Sequence, residues 1–289
     1  MLARLLADRR YPLAFNMLEL GALPLGGAAE PFHALLDLFP GSRISAFELD
    51  PALCAELNAK ARPGLRYYAT AVGRAEEPRT LYQTRHPMCA SLYEPDERYA
   101  DVFHHLDVMR LKAKSAVSTV SLDRFVRDNA LGSIDFIKMD IQGAELDVLQ
   151  GGTATLSSVL ALVTEVEFVP LYKGQPLYGD IDAWLRDRDF TLHRFLTISG
   201  RAMKPLARDG NPNTPMQTMW ADALFTCDLL DVRGLSPEQL VKLAVLLDLY
   251  ESGDVALYLL RHHDQLAGTA LAPAYLETLI ASGHWNSMQ

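Results

Sequence analysis

Ile134-Asp135-Phe136-Ile137-Lys138-Met139-Asp140-Ile141-Gln142-Gly143-Ala144-Glu145-Leu146-Asp147-Val148-Leu149 is the stretch that decides the fold. An apolar run stops at a carboxylate, Asp140, turns at Gly143 and continues with helical spacing. That is the profile of a buried parallel strand delivering an acid to the rim of an α/β sheet, where such folds hold their ligands.

Strand-like and helix-like segments alternate on both sides of it. Upstream, Phe15 to Leu20 and Arg43 to Glu48 read as strands, separated by helical spacing from Phe32 to Phe39. Asp50-Pro51 supplies an N-cap followed by proline at the first helical position, and opens a helix to about Lys60. Leu65 to Ala69 is a third strand, Ala71-Val72-Gly73 turns away from its end, and Thr80 to Gln83 is an extra β segment. No periodicity is readable from Arg85 to Lys114, and order returns at Val117 with a capped helix start at Ser121. Downstream, Leu160 to Phe168, Phe190 to Phe195 and Thr218 to Cys227 read as strands, with a helix from Ile181 to Arg188. Repeated βα units of this kind predict a doubly wound, mostly parallel sheet with right-handed crossovers. From Ser236 onward only helical spacing remains, so the chain divides into an α/β domain over 1–232 and a helical appendage over 233–289, a packing or oligomerisation element.

Composition narrows the function classes. The 289 residues are 49% hydrophobic, enough for a substantial core, and a net charge of -9 disfavours a surface that tracks phosphates, so nucleic acid is not expected as a partner. No apolar run approaches the roughly 18 residues that span a bilayer, and the charged opening segment lacks signal-peptide character, so a soluble cytoplasmic protein is expected. Cys54, Cys89 and Cys227 are scattered without metal-ligand spacing, which suits free thiols in a reducing compartment.

The first strand ends at Glu19-Leu20-Gly21, followed by Ala22-Leu23-Pro24-Leu25-Gly26-Gly27. Glycines at a strand-to-helix turn let a ligand approach the backbone, but the spacing departs from the dinucleotide fingerprint, and Pro24 lacks an N–H that could hold a pyrophosphate. Glu48, at the end of the second strand, stands where this fold class holds the two hydroxyls of a ribose. A nucleoside ligand without phosphate fits both observations, and S-adenosylmethionine is such a ligand. Of the remaining acids, Glu165 and Glu167 share one face of their strand, suited to acceptor or metal binding. Glu145 reads equally well as a first-turn acid favoured by the helix dipole. His86, His104, His105 and His193 each offer an imidazole without a local pattern that assigns it a role.

Ser121-Leu122-Asp123-x-Phe125, the segment from Ile134 to Gly152, Glu165-Val166-Glu167-Phe168, Pro170-Leu171-Tyr172 and Met219 to Phe225 resemble the FkbM-type S-adenosylmethionine-dependent methyltransferases of the class I Rossmann-like fold. The resemblance runs from about Asn16 to Asp228 and is strongest from Val117 to Gly152. Two positions depart from the family pattern: Gln142 stands where a glutamate is usual, and Ala22-Leu23-Pro24-Leu25 replaces a compact glycine-asparagine turn. The resemblance implies a seven-stranded sheet of order 3-2-1-4-5-7-6 and an O-methyltransferase acting on a hydroxyl of a sugar, glycan or polyketide-like metabolite. It implies that Glu19, Gly21, Gly26, Glu48, Leu49, Ala71, Val72, Ser91 and Asp140 border the cofactor. Asp140 is the leading candidate for the base, Lys138 for its assistant and Glu165 for an acceptor contact. Metal ligands are not indicated, and a divalent ion is left open. A nicotinamide- or nucleotide-sugar-binding enzyme of the same fold, or a cofactor-binding scaffold without turnover, are the alternatives.

Overall fold

The computed structural model describes residues 1–22 and 30–286. Its central sheet holds seven of ten strands, which we label β1 (Asn16–Leu20), β2 (Arg43–Phe47), β3 (Leu65–Tyr68), β4 (Ala71–Gly73), β5 (Pro78–Thr84), β6 (Leu111–Ser121), β7 (Phe136–Met139), β8 (Ala161–Glu167), β9 (Phe190–Arg201) and β10 (Gln217–Cys227). The order is β3-β2-β1-β7-β8-β10-β9, with β10 alone antiparallel to its neighbours. Counting only the strands of this sheet, that is the expected order 3-2-1-4-5-7-6. The chain leaves β1 toward β2 on one side and returns to β7 on the other, so the ends of β1 and β7 flank the point where strand order reverses.

Strand alternation sorts the core into two layers. Leu18, Leu20, Ile137, Met139, Leu162 and Val166 belong to one apolar cluster, completed by the helices Leu122–Asp128, Glu145–Gly151 and Tyr178–Arg186. Met17, Ile44, Phe136, Ala161 and Val163 face the other way, onto a cluster that includes the helices Pro237–Leu249, Gly253–Ala267 and Leu271–Ala281. The first of these helices starts at a capping box, Ser236 with Gln239, and buries Leu240, Val241, Leu243, Val245, Leu246 and Leu247 within the chain's own core. Lys242 from the same helix reaches Asp135 at the foot of β7, with its Nζ 3.1 and 3.2 Å from the two carboxylate oxygens. The C-terminal helices thus share one apolar core with that face of the sheet, together with the helix Leu2–Asp8 and the segment from Phe32 to Phe39.

The stretch without readable periodicity runs into β6, the middle strand of a second sheet of order β4-β6-β5. β6 is eleven residues long and mostly exposed from Lys112 to Ala116, so no buried face imprints a two-residue alternation on its sequence. β9 also extends past Phe195 to Arg201 as half of a long antiparallel ribbon with β10. Among the described residues, no helix is long and apolar enough to cross a membrane.

Candidate active site

A cleft of about 960 Å3 opens at the C-terminal ends of β1, β2 and β7 and is walled on its far side by the small sheet. Gly21 closes the end of β1 in the left-handed region, φ +83°, and a Cβ there would stand 1.9 Å from the carbonyl oxygen of Asp140. Only glycine lets the two strand ends approach so closely, and this contact fixes Asp140 at the cleft wall. The sharp turn continues through Gln142, φ 59°, and Gly143, φ 97°, before the helix from Glu145 begins.

On the other side, Glu48 and Leu49 follow β2 directly into the cleft lining. Asp50 accepts from the backbone N–H groups of Ala52 and Leu53, as its N-cap role requires, while Glu48 Oε1 accepts from Asp50 N at 2.9 Å. The cap fixes the loop, and the loop aims Glu48. Ala71 and Val72 of β4 form part of the wall, and Ser91 lines the cleft while donating to the carbonyl of Gln142 at 2.6 Å. Among the described residues the charged lining consists of Glu48, Asp50 and Asp140 against one base, Lys112. The cleft therefore favours a cationic ligand.

Behind Asp140 lies a connected set of acids. The Gln142 amide donates to Asp140 Oδ1 at 2.8 Å and to Glu165 Oε2 at 2.5 Å, and its Oε1 accepts from the Tyr172 hydroxyl at 2.8 Å. Burial, with Asp140, Glu167 and Glu145 nearby, pushes Glu165 well above the usual carboxylate range; burial and Glu145 do the same to Glu167. Glu145 is fully buried and accepts from Ile141 N at 2.7 Å, and burial pushes it up to about 7. Lys138 Nζ lies 3.3 Å from Asp222 Oδ1; burial opposes its charge, but Asp140, Asp222, Glu30 and Glu165 outweigh burial and hold it protonated.

Gly21, Glu48, Leu49, Ala71, Val72, Ser91 and Asp140 come together in one cleft. Glu19, Lys138 and Glu165 do not line it, because strand alternation turns them to the face covered by the C-terminal helices. Glu19 is there paired with His33 at 2.8 Å, and Lys138 of β7 is paired with Asp222 of β10. Gly26 lies outside the described residues. The four histidines also stand apart from the lining: His86 accepts from Met88 N, His104 meets the Leu206 carbonyl, His105 meets Asn213 and His193 meets Ser252. Sequence reading missed Tyr172 and the bridging part played by Gln142, since the thirty-residue separation leaves no local signal. Among the described residues no group of three or more His, Cys, Asp or Glu side chains is placed to hold a metal ion.

The chain is 29% identical over 153 residues to the 2-O-methyltransferase NoeI of Sinorhizobium fredii (strain NBRC 101917 / NGR234), a match covering 51% of this chain and 63% of the relative. Among solved structures, the 23S rRNA methyltransferase ErmE aligns over 85% of this chain and 76% of its own, at 13% identity and a TM-score of 0.32. A methyltransferase-like structure from Thermobifida fusca YX aligns over 78% and 77%, at 14% identity and a TM-score of 0.36. The Methyltransferase FkbM domain pattern matches residues 25–192, reaching the start of β9, and the chain belongs to that family.

Proposed function

We propose that the chain is an S-adenosylmethionine-dependent O-methyltransferase acting on a hydroxyl of a sugar, glycan or polyketide-like metabolite. The observation that carries this reading is the acidic lining at the switch point. A sulfonium cofactor carries positive charge where Glu48, Asp50 and Asp140 gather, whereas a pyrophosphate would meet three acids and one lysine. The cleft volume, about 960 Å3, lies at the upper end of the ~300–1,000 Å3 usual for small-ligand sites, leaving room for an acceptor beside the cofactor.

In this reading Glu48 accepts from the ribose hydroxyls, Ala71 and Val72 border the adenine, and Gly21 lets the ligand lie close to the strand end. When bound, the cofactor supplies a methyl whose carbon bonds the acceptor oxygen as the carbon–sulfur bond breaks. Holding the acceptor in line is the greater part of the rate gain. Asp140 uses Oδ1 to accept from Gln142 and keeps Oδ2, which has no hydrogen bond among the described residues, for the acceptor's proton. Hydroxyl methylation is favoured over other acceptors by the 2-O-methyltransferase relative, of whose length the chain spans 63%.

Titration calorimetry tests the cofactor. S-adenosylmethionine and S-adenosylhomocysteine are expected to bind, with Glu48→Ala weakening both by about 1–3 kcal/mol as two hydrogen bonds are lost. Binding of NADH or a uridine-diphosphate sugar in their place overturns the reading. Transfer of labelled methyl in a screen of hydroxyl acceptors tests the chemistry, and stoichiometric cofactor binding without transfer to any of them favours a scaffold.

A further inference from the structure

We propose that Gln142 is a positioning residue for this chain's methyl transfer, its amide holding the Asp140 carboxylate in register with Glu165 so that one oxygen of Asp140 stays free toward the acceptor. The inference rests on the functional reading above and adds to it the residue that sets the geometry of the base.

The amide is spent in full. The NH2 group faces Asp140 Oδ1 and Glu165 Oε2, and the amide oxygen takes the Tyr172 hydroxyl. The backbone is held as firmly: the Gln142 carbonyl accepts from Ser91 Oγ, which itself accepts from Tyr93 N at 2.9 Å. A residue at φ 59° costs free energy that these contacts offset, and the turn aims the side chain back across the end of β7. Gln142 thereby ties the cleft wall, through Ser91 and Asp140, to the end of β8, through Glu165, and to Tyr172 beyond it.

A glutamate here would have no proton to offer either acid unless it were itself protonated. Asp140, Glu165 and a third carboxyl group would then crowd one site, with Glu145 from the following helix and Glu167 farther along β8 beside them. The cation facing this group is Lys138, already engaged with Asp222. The neutral, two-proton donor lets both acids lie together without an extra proton in the base's own hydrogen bond.

Two variants of nearly unchanged size test this, after wild-type cofactor binding and turnover are recorded. Gln142→Met is expected to lower kcat at least about tenfold while the dissociation constant for S-adenosylhomocysteine stays within about threefold. Gln142→Glu is expected to move the acidic limb of kcat against pH upward by about one pH unit or more, with activity recovered at high pH. Tyr172→Phe, which removes the bonds to Gln142 Oε1 and to the Cys89 carbonyl and leaves the amide's two donors in place, is expected to lower kcat without moving that limb. Should the methionine variant fail to fold, the glutamate profile alone decides. A Gln142→Glu profile superimposable on the wild type, or an unchanged kcat in Gln142→Met, overturns the inference while the wild type still methylates. A wild type that binds no S-adenosylhomocysteine overturns the functional reading and this inference with it.

Discussion

Glu145→Gln should stabilise the protein above neutral pH and leave it little changed below pH 5. Glu145 opens its helix fully buried, with Oε1 taking the Ile141 N–H and Oε2 unpartnered among the described residues. Burial first, and the nearby Asp140 second, raise it from 4.5 to about 7, against the lowering effect of the backbone N–H groups it accepts from. A carboxyl raised on folding contributes its stability below the unfolded value and loses it as pH climbs through the folded one. At roughly 1.36 kcal/mol per pH unit, ionisation at about 7 rather than 4.5 withholds on the order of 3 kcal/mol by pH 8. Glutamine keeps the acceptor for Ile141 and cannot ionise. Urea unfolding between pH 5 and pH 9 is the assay: wild-type stability should fall across this window, and the variant should exceed it by on the order of 2–3 kcal/mol at pH 8. Glu165 and Glu167 are raised in the same direction and remain in the variant, so its own curve should fall less steeply rather than flatten. A wild-type curve that is level from pH 5 to pH 8, or a variant equally destabilised at both ends, would refute the assignment of a neutral Glu145.

Three further substitutions probe other parts of the molecule. Gly21→Ala places a Cβ 1.9 Å from the Asp140 carbonyl at φ +83°, and is expected to cost at least about 2 kcal/mol in thermal unfolding; a variant as stable as wild type contradicts the close strand approach. Lys242→Met leaves Asp135 with only its bond from Asn16 N, and should cost about 3 kcal/mol, part of which Asp135→Asn in the same chain restores. Asp140→Asn should lower kcat by at least about 100-fold while cofactor affinity holds within a few-fold; equal losses in both would recast Asp140 as a cofactor ligand.

Much of this arrangement could be read from the sequence because burial wrote it there. β7 and β8 are covered on both faces, so their near-continuous apolar runs fixed the strands, and the break at Asp140 marked the rim. Glu48 was legible because the Asp50-Pro51 cap immediately after it ends the strand. β6 was not legible: its polar residues pair with β4 and β5 beyond the main core, where neither face demands apolar side chains. The acids behind Asp140 illustrate a different limit. Strand alternation put Glu165 and Glu167 on one face, but that Glu165 meets Asp140 through Gln142 depends on a left-handed turn and a tyrosine thirty residues away. The apolar C-terminal helices read as a separate appendage because their sequence says only that they bury a face, not that the face is the sheet itself.

A crystal structure with S-adenosylhomocysteine tests the central claim most directly. The adenosine is expected between Glu48 and the Ala71–Val72 edge, with its ribose on the Glu48 carboxylate and its sulfur toward Asp140. Density for the ligand elsewhere on the chain, or a cleft that stays empty under saturating ligand, would contradict it.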